Sequence, residues 1–299
     1  MFERGIYPVL TTPYAPNGEI DFTALSREID YVFDAGAQGI TFALCSDVLR
    51  LTALERQSMP GRLVEAAHGR GPVIMSVGGE SVAQARAFAE TAEDTGASAV
   101  MAIAPVSQSL DEASLETYFA GITEAISVPV IVQDASGYLG RPMSIQFQAA
   151  LWHRFGERLW FKPEAEPLGQ RQSALLDATD GQATIFEGSG GIALVDAHRR
   201  GIHGTMPACD LLDGIVALWH ALEAGDEDRT YALYFPICAI AAIQLQGGLD
   251  GFIAIERYLL TQRGVLPPQA PRAPFTYHLD DQTRSEVDRL FVRMQDALE

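Results

Sequence analysis

AVMAIAPVSQSLDEASLETYFAGITEAISVPVIVQD, residues 99–134, is the segment that decides the fold. It begins with the apolar run AVMAIAP and ends with a second one, PVIVQD from Pro129. Between the two runs, Leu115, Phe119 and Ile122 recur at the spacing of one face of a helix. Two short apolar strands that flank an amphipathic helix predict a β-α-β unit with parallel strands.

The same alternation of apolar runs and helical segments extends over most of the chain. Parallel strands that are buried on both faces are near-continuous apolar runs, so eight of them predict a (β/α)8 TIM barrel. An open doubly wound sheet is the alternative, but no GxGxxG motif opens a helix after the first strand. The six further runs are GIYPVL from Gly5, GITFALC from Gly39, PVIMSVG from Pro72, RLWFKPE from Arg158, ATIFEGS from Ala183 and GIHGTMP from Gly201.

The last third of the chain has no strand signals. After Pro207 the pattern is helical, with a loop signal in GVLPPQAPRAP. We therefore predict a barrel over residues 1–208, and a last barrel helix with a helical extension over 209–299, in one compact domain. A chain of 299 residues with 47% hydrophobic residues can bury a core of that size.

The composition excludes several classes of function. A net charge of −18 argues against binding to nucleic acid, because phosphate contacts need clustered basic residues. The first residues have no apolar core of a signal peptide, and no run of 18 apolar residues suggests a membrane span, so we expect a cytoplasmic protein. Three distant cysteines and six histidines without ligand spacing predict neither a disulfide framework nor a metal site, and no cofactor is predicted.

Lys162 is the only lysine of the chain. It follows the apolar residues Leu159 to Phe161 and precedes Pro163, which usually marks the end of a strand. In a barrel, the carboxyl ends of the strands carry the active site. An ammonium group in apolar surroundings can lose its proton and become a nucleophile, whereas a guanidinium cannot. A lysine that only pairs with Glu164, or that extends to the surface, is the alternative.

Over nearly its whole length the sequence resembles the dihydrodipicolinate synthase and N-acetylneuraminate lyase superfamily. The resemblance implies a (β/α)8 barrel with a C-terminal helical segment, a tetrameric or dimeric assembly, and a Schiff-base lysine on the sixth strand, where Lys162 stands. The landmarks that carry it are Thr11-Thr12-Pro13 with Gly18 and Asp21, Leu51-Thr52 with Glu55-Arg56, Pro105, Pro129-Val130-Ile131, the strand of Lys162, Glu187-Gly188-Ser189, and Gly201 with Gly204.

The sequence departs from the synthases where they carry out their chemistry. The Gly-Thr-Thr-Gly-Glu loop of the family falls on residues 43–47, ALCSD, so both threonine hydroxyls are replaced. The general acid-base tyrosine falls on Gln133, and the tyrosine lent to a neighbouring subunit falls near Ser107. The arginine that receives the carboxylate of the aldehyde substrate falls near Tyr138. The proton relay of the synthases is therefore not conserved in this chain.

A second branch of the superfamily is more similar. Val132-Gln133-Asp134-Ala135 and Phe161-Lys162-Pro163-Glu164 resemble the VQDA and FKxE segments of 2-keto-3-deoxyarabonate dehydratases. The resemblance implies a lyase that forms a Schiff base with a 2-oxo acid, as a 2-keto-3-deoxy sugar acid dehydratase or aldolase. The alternatives are a 4-hydroxy-tetrahydrodipicolinate (dihydrodipicolinate) synthase and a non-catalytic protein that binds 2-oxo acids.

Six residues are predicted to form the site. Lys162 is the nucleophile, and Glu164, on the same side of the strand, is the predicted proton carrier. A structural ion pair is the alternative for Glu164. Gln133 has no titratable proton, so we assign it hydrogen bonding to substrate. Backbone N–H groups of Cys45 and Ser46, with the Ser46 hydroxyl, are expected to hold the substrate carboxylate. Gly188 suits a turn that substrate approaches closely.

Overall fold

The computed structural model describes residues 2–137 and 139–299 of the chain. All eight predicted strands are present, each within or next to its predicted run. The strands are β1 (Gly5–Ile6), β2 (Ile40–Phe42), β3 (Val73–Ser76), β4 (Ala99–Ile103), β5 (Val130–Asp134), β6 (Leu159–Pro163), β7 (Thr184–Glu187) and β8 (Gly204–Thr205).

Helices follow the strands in alternation, and four of them come after the last strand. The first seven are α1 (Phe22–Asp34), α2 (Ala53–Ala67), α3 (Val82–Asp94), α4 (Glu112–Thr123), α5 (Ile145–Phe155), α6 (Leu168–Ala178) and α7 (Leu194–Arg199). The last four are α8 (Leu212–Ala224), α9 (Glu227–Gln246), α10 (Gly248–Gln262) and α11 (Asp281–Asp296). None of the helices within the described residues is long and apolar enough to cross a membrane.

The strands form one sheet in the order β1-β8-β7-β6-β5-β4-β3-β2. Each pair from β3 to β8 is parallel, and an isolated parallel bridge from Val9 to Thr41 joins the chain after β1 to β2. This topology confirms the predicted (β/α)8 barrel with a C-terminal helical extension. In β5 and β6, Gln133 is paired with Lys162, which places the two side chains beside each other on neighbouring strands.

The chain divides into two compact units. The first comprises residues 1–4, 51–188 and 196–205, and the second comprises 5–50, 189–195 and 206–299. The first unit holds β3 to β8, with every residue of β4 and β5 buried. The second holds β1, β2 and the four C-terminal helices, whose apolar side chains form its core. The predicted division after residue 208, within one domain, stays a prediction.

Local sequence explains where the helices of the first unit begin. Thr52 accepts a hydrogen bond from the Glu55 N–H, and the Glu55 carboxylate accepts one from the Thr52 N–H, so α2 starts with a capping box. The caps of α3, α4 and α5 are simpler. In each of them one side-chain oxygen accepts a hydrogen bond from a backbone N–H of the first turn, and the capping residues are Ser81, Asp111 and Ser144. These caps end the loops that follow β2 to β5, and they fix where the chain returns to the barrel wall.

Candidate active site

Lys162 lies near the carboxyl end of β6 and is buried, with 4% of its surface exposed. Its neighbours along the strand, Phe161 and Pro163, are also buried, so the carboxyl end of β6 is buried as a whole. A lysine is almost never fully buried unless it has a partner. The partner of Lys162 is Glu164, whose Oε1 lies 3.1 Å from Nζ.

Glu164 stands just beyond β6, and its backbone continues the ladder because its N–H donates to the Asp134 carbonyl at 3.0 Å. The strand alternation therefore persists through Pro163 and directs the Lys162 and Glu164 side chains to the same side, as predicted. The second carboxylate oxygen of Glu164, Oε2, accepts a hydrogen bond of 2.6 Å from the Gln133 amide. Lys162, Glu164 and Gln133 thus form one buried polar chain.

The surroundings of Glu164 raise the affinity of its carboxylate for a proton. Burial raises the pKa of Glu164, the Lys162 ammonium and the Gln133 amide lower it, and the Glu187 carboxylate raises it, with a net rise above the usual value. Glu187 is itself buried at the end of β7 and accepts a hydrogen bond of 2.7 Å from the Thr205 hydroxyl on β8. The sequence analysis did not place Glu187 in the site, although a carboxylate at the end of a barrel strand is a signal for it.

Gly188 is required by the space around the lysine. A Cβ at this position would lie 2.3 Å from Lys162 Cε and 2.6 Å from Glu164 Oε1. Atoms do not approach that closely, so any other residue here would displace the amine or the carboxylate. The structure therefore brings Gly188 together with Lys162, Glu164 and Gln133.

Asp134 fixes the loop that follows β5. It is buried, and its Oδ2 accepts a hydrogen bond of 3.0 Å from the Met143 N–H and forms an ion pair of 3.5 Å with Arg171. Its Oδ1 accepts a hydrogen bond from the Ser136 N–H at 3.3 Å. Asp134 was part of the VQDA resemblance without a predicted role. Tyr138, near which the resemblance places the arginine of the synthases, lies outside the described residues.

Cys45 and Ser46 belong to the second unit, in a single helical turn over Leu44–Ser46. Ser46 is buried, and its hydroxyl donates to the Leu10 carbonyl while it accepts from the Ala43 N–H at 3.0 Å. The Ser46 N–H donates to the Ala43 carbonyl at 2.9 Å. Both donors of Ser46 are therefore used within the protein, and a substrate carboxylate at Ser46 would have to displace one of these bonds. The role of the pair in substrate binding stays a prediction.

Asp47 ends this turn with a left-handed backbone, at a φ of 58°. Its carboxylate forms ion pairs with Arg50 at 2.9 Å and with Arg257 at 2.6 Å. Thr12 adds a hydrogen bond from its hydroxyl to the Ser46 carbonyl at 2.5 Å. These contacts hold the turn in place.

Comparison with known proteins identifies the family. The family model described as "Dihydrodipicolinate synthetase family" matches residues 2–293. The chain belongs to this family. Its members are lyases, and the resemblance inferred from the sequence landmarks is confirmed.

Two relatives of the chain carry different names. An L-2-keto-3-deoxyarabonate dehydratase of Azospirillum brasilense is 29% identical over 292 residues, which cover 95% of this chain and 92% of the relative. A 4-hydroxy-tetrahydrodipicolinate synthase of Methanosarcina barkeri is 26% identical over 242 residues, with 80% of this chain and 82% of the relative covered. The chain is therefore a lyase of the dihydrodipicolinate synthetase family, and it is similar in sequence to both of these enzymes.

Solved structures of the family have the same fold. Dihydrodipicolinate synthase from Rhodopseudomonas palustris superposes with a TM-score of 0.87 at 27% identity, covering 97% of each chain. The chloride-inhibited dihydrodipicolinate synthase from Acinetobacter baumannii, solved in complex with pyruvate, gives a TM-score of 0.84 at 19% identity and covers 99% of each chain. The second likeness establishes the fold alone.

Proposed function

We propose that this protein forms a Schiff base between Lys162 and the C2 carbonyl of a 2-oxo acid, and that it dehydrates or cleaves a 2-keto-3-deoxy sugar acid. The observation that carries the proposal is the buried contact of 3.1 Å between the Lys162 amine and the Glu164 carboxylate. The lysine amine can act as the nucleophile, and the neighbouring carboxyl group, whose pKa is raised, can accept and donate its proton.

Glu164 supports the first step by taking a proton from the lysine. Because burial raises its pKa, its carboxylate accepts a proton more readily than that of an exposed glutamate. The neutral amine then attacks C2, and Glu164 returns the proton as the carbonyl oxygen leaves as water, which gives the iminium. The hydrogen bond from Gln133 keeps Glu164 directed at the amine.

The iminium withdraws electrons from C3. The Glu164 carboxylate takes a proton from C3, which gives the enamine. The enamine then expels the C4 hydroxyl, which leaves as water after Glu164 returns that proton to it. Hydrolysis of the unsaturated iminium restores the amine and consumes the water released when the iminium formed, so each turnover removes one water from the substrate. An aldolase would instead break the C3–C4 bond at the same iminium.

The similarity to the A. brasilense dehydratase, which aligns with 95% of this chain, favours a sugar acid as the substrate. It is also favoured by Gln133, which has no titratable proton where the synthases have a tyrosine. The second candidate is 4-hydroxy-tetrahydrodipicolinate synthase, which the R. palustris structure at 27% identity favours. Because Gln133 replaces the tyrosine of the proton relay, we place the synthase activity second.

The deciding experiment is incubation with a panel of 2-keto-3-deoxy acids, and separately with pyruvate and aspartate semialdehyde, followed by identification of the products. We expect a dehydrated 2-oxo acid, or pyruvate with an aldehyde, from at least one sugar acid, and negligible condensation product. Condensation at about 1 per second or faster, without turnover of any sugar acid, would favour the synthase instead. We also propose that the protein is cytoplasmic and works as a homo-oligomer, a dimer or tetramer, as its resemblance implies.

A further inference from the structure

Glu187 has no part in the reaction steps proposed above, yet it is buried close to the residues that carry them out. It is the last residue of β7, and 1% of its surface is exposed. Its Oε2 accepts a hydrogen bond of 2.7 Å from the hydroxyl of Thr205, the fully buried residue that is paired with it on β8. Burial of an ionisable group is costly, and such a group at the carboxyl end of a barrel strand is a candidate for a functional role.

The residue that follows Glu187 lies against the reacting groups. A Cβ on Gly188 would lie 2.6 Å from Glu164 Oε1 and 3.0 Å from Lys162 Nζ. Because a bond from Cα to Cβ is about 1.5 Å long and successive Cα atoms are about 3.8 Å apart, the Glu187 Cα lies within about 8 Å of Glu164 Oε1. Glu187 and Glu164 are therefore neighbours in one buried cluster at the carboxyl ends of β6 and β7.

Glu164 lies between charges of opposite sign. Burial raises the pKa of Glu164, the Lys162 ammonium lowers it, and the Glu187 carboxylate raises it. The neighbouring side chain on β5, Gln133, is uncharged and donates its amide N–H to Glu164. The second carboxylate thus offsets part of the effect of the ammonium and strengthens the hold of Glu164 on a proton.

The proposed reaction needs this offset. Glu164 takes a proton from the amine or from C3, and it holds the proton until the departing oxygen receives it. In the steps where it accepts a proton, a positive charge stands next to Glu164, on the Lys162 ammonium and later on the iminium. A neighbouring cation by itself lowers the pKa of a carboxyl group and makes the carboxylate a weaker base. A nearby negative charge restores its strength as a base.

We propose that Glu187 is a positioning residue of this reaction, whose carboxylate, fixed by Thr205, offsets the positive charge beside Glu164 and makes Glu164 a stronger base. Glu187 acts through Glu164 and does not exchange a proton with the substrate itself. Thr205 contributes to the same effect, because its hydroxyl holds the Glu187 carboxylate in place. This role rests on the reaction proposed for Lys162, and it adds a second buried carboxylate to the site.

Proton exchange at C3 of pyruvate tests this role without knowledge of the natural substrate. Once Lys162 has formed the iminium, Glu164 takes a proton from C3 and the electron pair of that bond forms the double bond of the enamine. A deuteron from D₂O then returns to C3. NMR of pyruvate with the full chain, at a series of pH values, measures the rate. We expect the rate to fall at low pH as Glu164 becomes protonated, and to be about 10²–10⁴-fold lower in Glu164→Gln.

Glu187→Gln keeps the size of the side chain and an oxygen that can accept from Thr205, but it removes the charge. We expect the fall in rate to occur about 1 pH unit lower than in the wild type, because Glu164 holds its proton less strongly. The maximal rate should decrease by about threefold, because Glu164 is then a weaker base. Glu187→Asp keeps the charge, so its fall in rate should occur within about 0.5 pH unit of the wild type.

Thr205→Val keeps both carboxylates, and it keeps the test valid if Glu187→Gln does not fold. Without the hydroxyl the Glu187 carboxylate is not held in place and offsets the positive charge less, so the fall in rate should again occur at lower pH, by at least about 0.5 pH unit. Glu157→Gln and Thr117→Val, at exposed positions, are the matched controls and should follow the wild-type profile.

The pH profile separates the proposed role of Glu187 from a structural one. A lower rate of Glu187→Gln with the pH profile of the wild type would show that the residue only supports the fold, and it would overturn the proposal. The same holds for a wild-type profile of Thr205→Val if Glu187→Gln does not fold. Absence of C3 exchange in the wild type, together with absence of a trapped adduct at Lys162, would instead overturn the proposed function and this role with it.

Discussion

Glu164 is the single residue, beside Lys162, on which the proposed chemistry depends most. Each of its carboxylate oxygens has one partner, the Lys162 amine at 3.1 Å and the Gln133 amide at 2.6 Å. Glu164→Gln keeps the size of the side chain but removes the group that accepts and returns a proton. We expect turnover of the best substrate to fall by about 10²–10⁴-fold. The iminium of Lys162 with pyruvate, trapped by reduction with borohydride, should still form but more slowly, because the amine has lost its proton acceptor.

The measurement is steady-state kinetics together with the mass of the trapped protein. Glu157→Gln, at an exposed position two residues before β6 begins, is the matched control and should keep wild-type turnover. Full activity of Glu164→Gln would show that the carboxylate has only a structural role.

Gly188 is predicted to be irreplaceable for a reason of space. An added Cβ would meet Lys162 Cε at 2.3 Å and Glu164 Oε1 at 2.6 Å, so Gly188→Ala should displace the amine from its partner. A misplacement of about 1 Å costs on the order of 100-fold in rate, and we expect trapping with pyruvate to slow by that factor in a folded protein. Gly61→Ala, in α2, is the control, because its Cβ would meet Thr95 at an ordinary 3.7 Å. Trapping by Gly188→Ala at the wild-type rate would contradict the proposed geometry.

At the scale of elements, the loop after β5 depends on Asp134. Its Oδ2 accepts from the Met143 N–H and pairs with Arg171, so an asparagine would lose the charge and one acceptor oxygen. We expect Asp134→Asn to lower the free energy of unfolding by about 1–3 kcal/mol in urea titrations. Asp111→Asn should change it by less than about 0.5 kcal/mol, because asparagine caps a helix as well as aspartate does. Equal stability of the two variants would show that Asp134 does not fix the loop.

The strands were predictable from the sequence because each is a short apolar run bounded by turn residues. The pair Lys162 and Glu164 was predictable too, since the two residues are separated by one strand repeat. The polar contacts between residues that are distant in the sequence were not predictable. Glu187 binds Thr205 18 residues away, and Asp47 binds Arg257 210 residues away, and no local pattern encodes such pairs. The hydrogen bond that occupies the Ser46 hydroxyl was missed for the same reason, because its acceptor, Leu10, lies on another segment.

At the scale of the whole molecule, the stability of the chain should depend on carboxyl groups buried in its second unit. Burial raises the pKa of Asp210 to about 6, and burial also raises the pKa of Glu28 and of Glu256. A carboxyl group whose pKa is higher in the folded state binds more protons there than in the unfolded state. Its contribution to stability is full below pH 3.8 and is lost as the pH rises through about 6.

Asp210→Asn should remove this dependence for one group, since asparagine has no proton to lose and can still accept the bond from Gln244. Between pH 4 and pH 7, titration of Asp210 should lower the free energy of unfolding of the wild type by on the order of 2–3 kcal/mol. The variant should not lose this amount. Denaturant titrations at the two pH values measure the difference. Asp94→Asn, at the surface, is the control. An unchanged difference between the two pH values would show that Asp210 does not titrate in this window.

The central claim, that Lys162 forms a Schiff base, is tested most directly by borohydride reduction in the presence of pyruvate. Lys162 is the only lysine of the chain, so the α-amino group is the only other primary amine that can react. The account predicts one added reduced pyruvate per chain in the intact mass, located at Lys162 by peptide mapping and absent from Lys162→Arg. No adduct, or an adduct at the amino terminus alone, would contradict it.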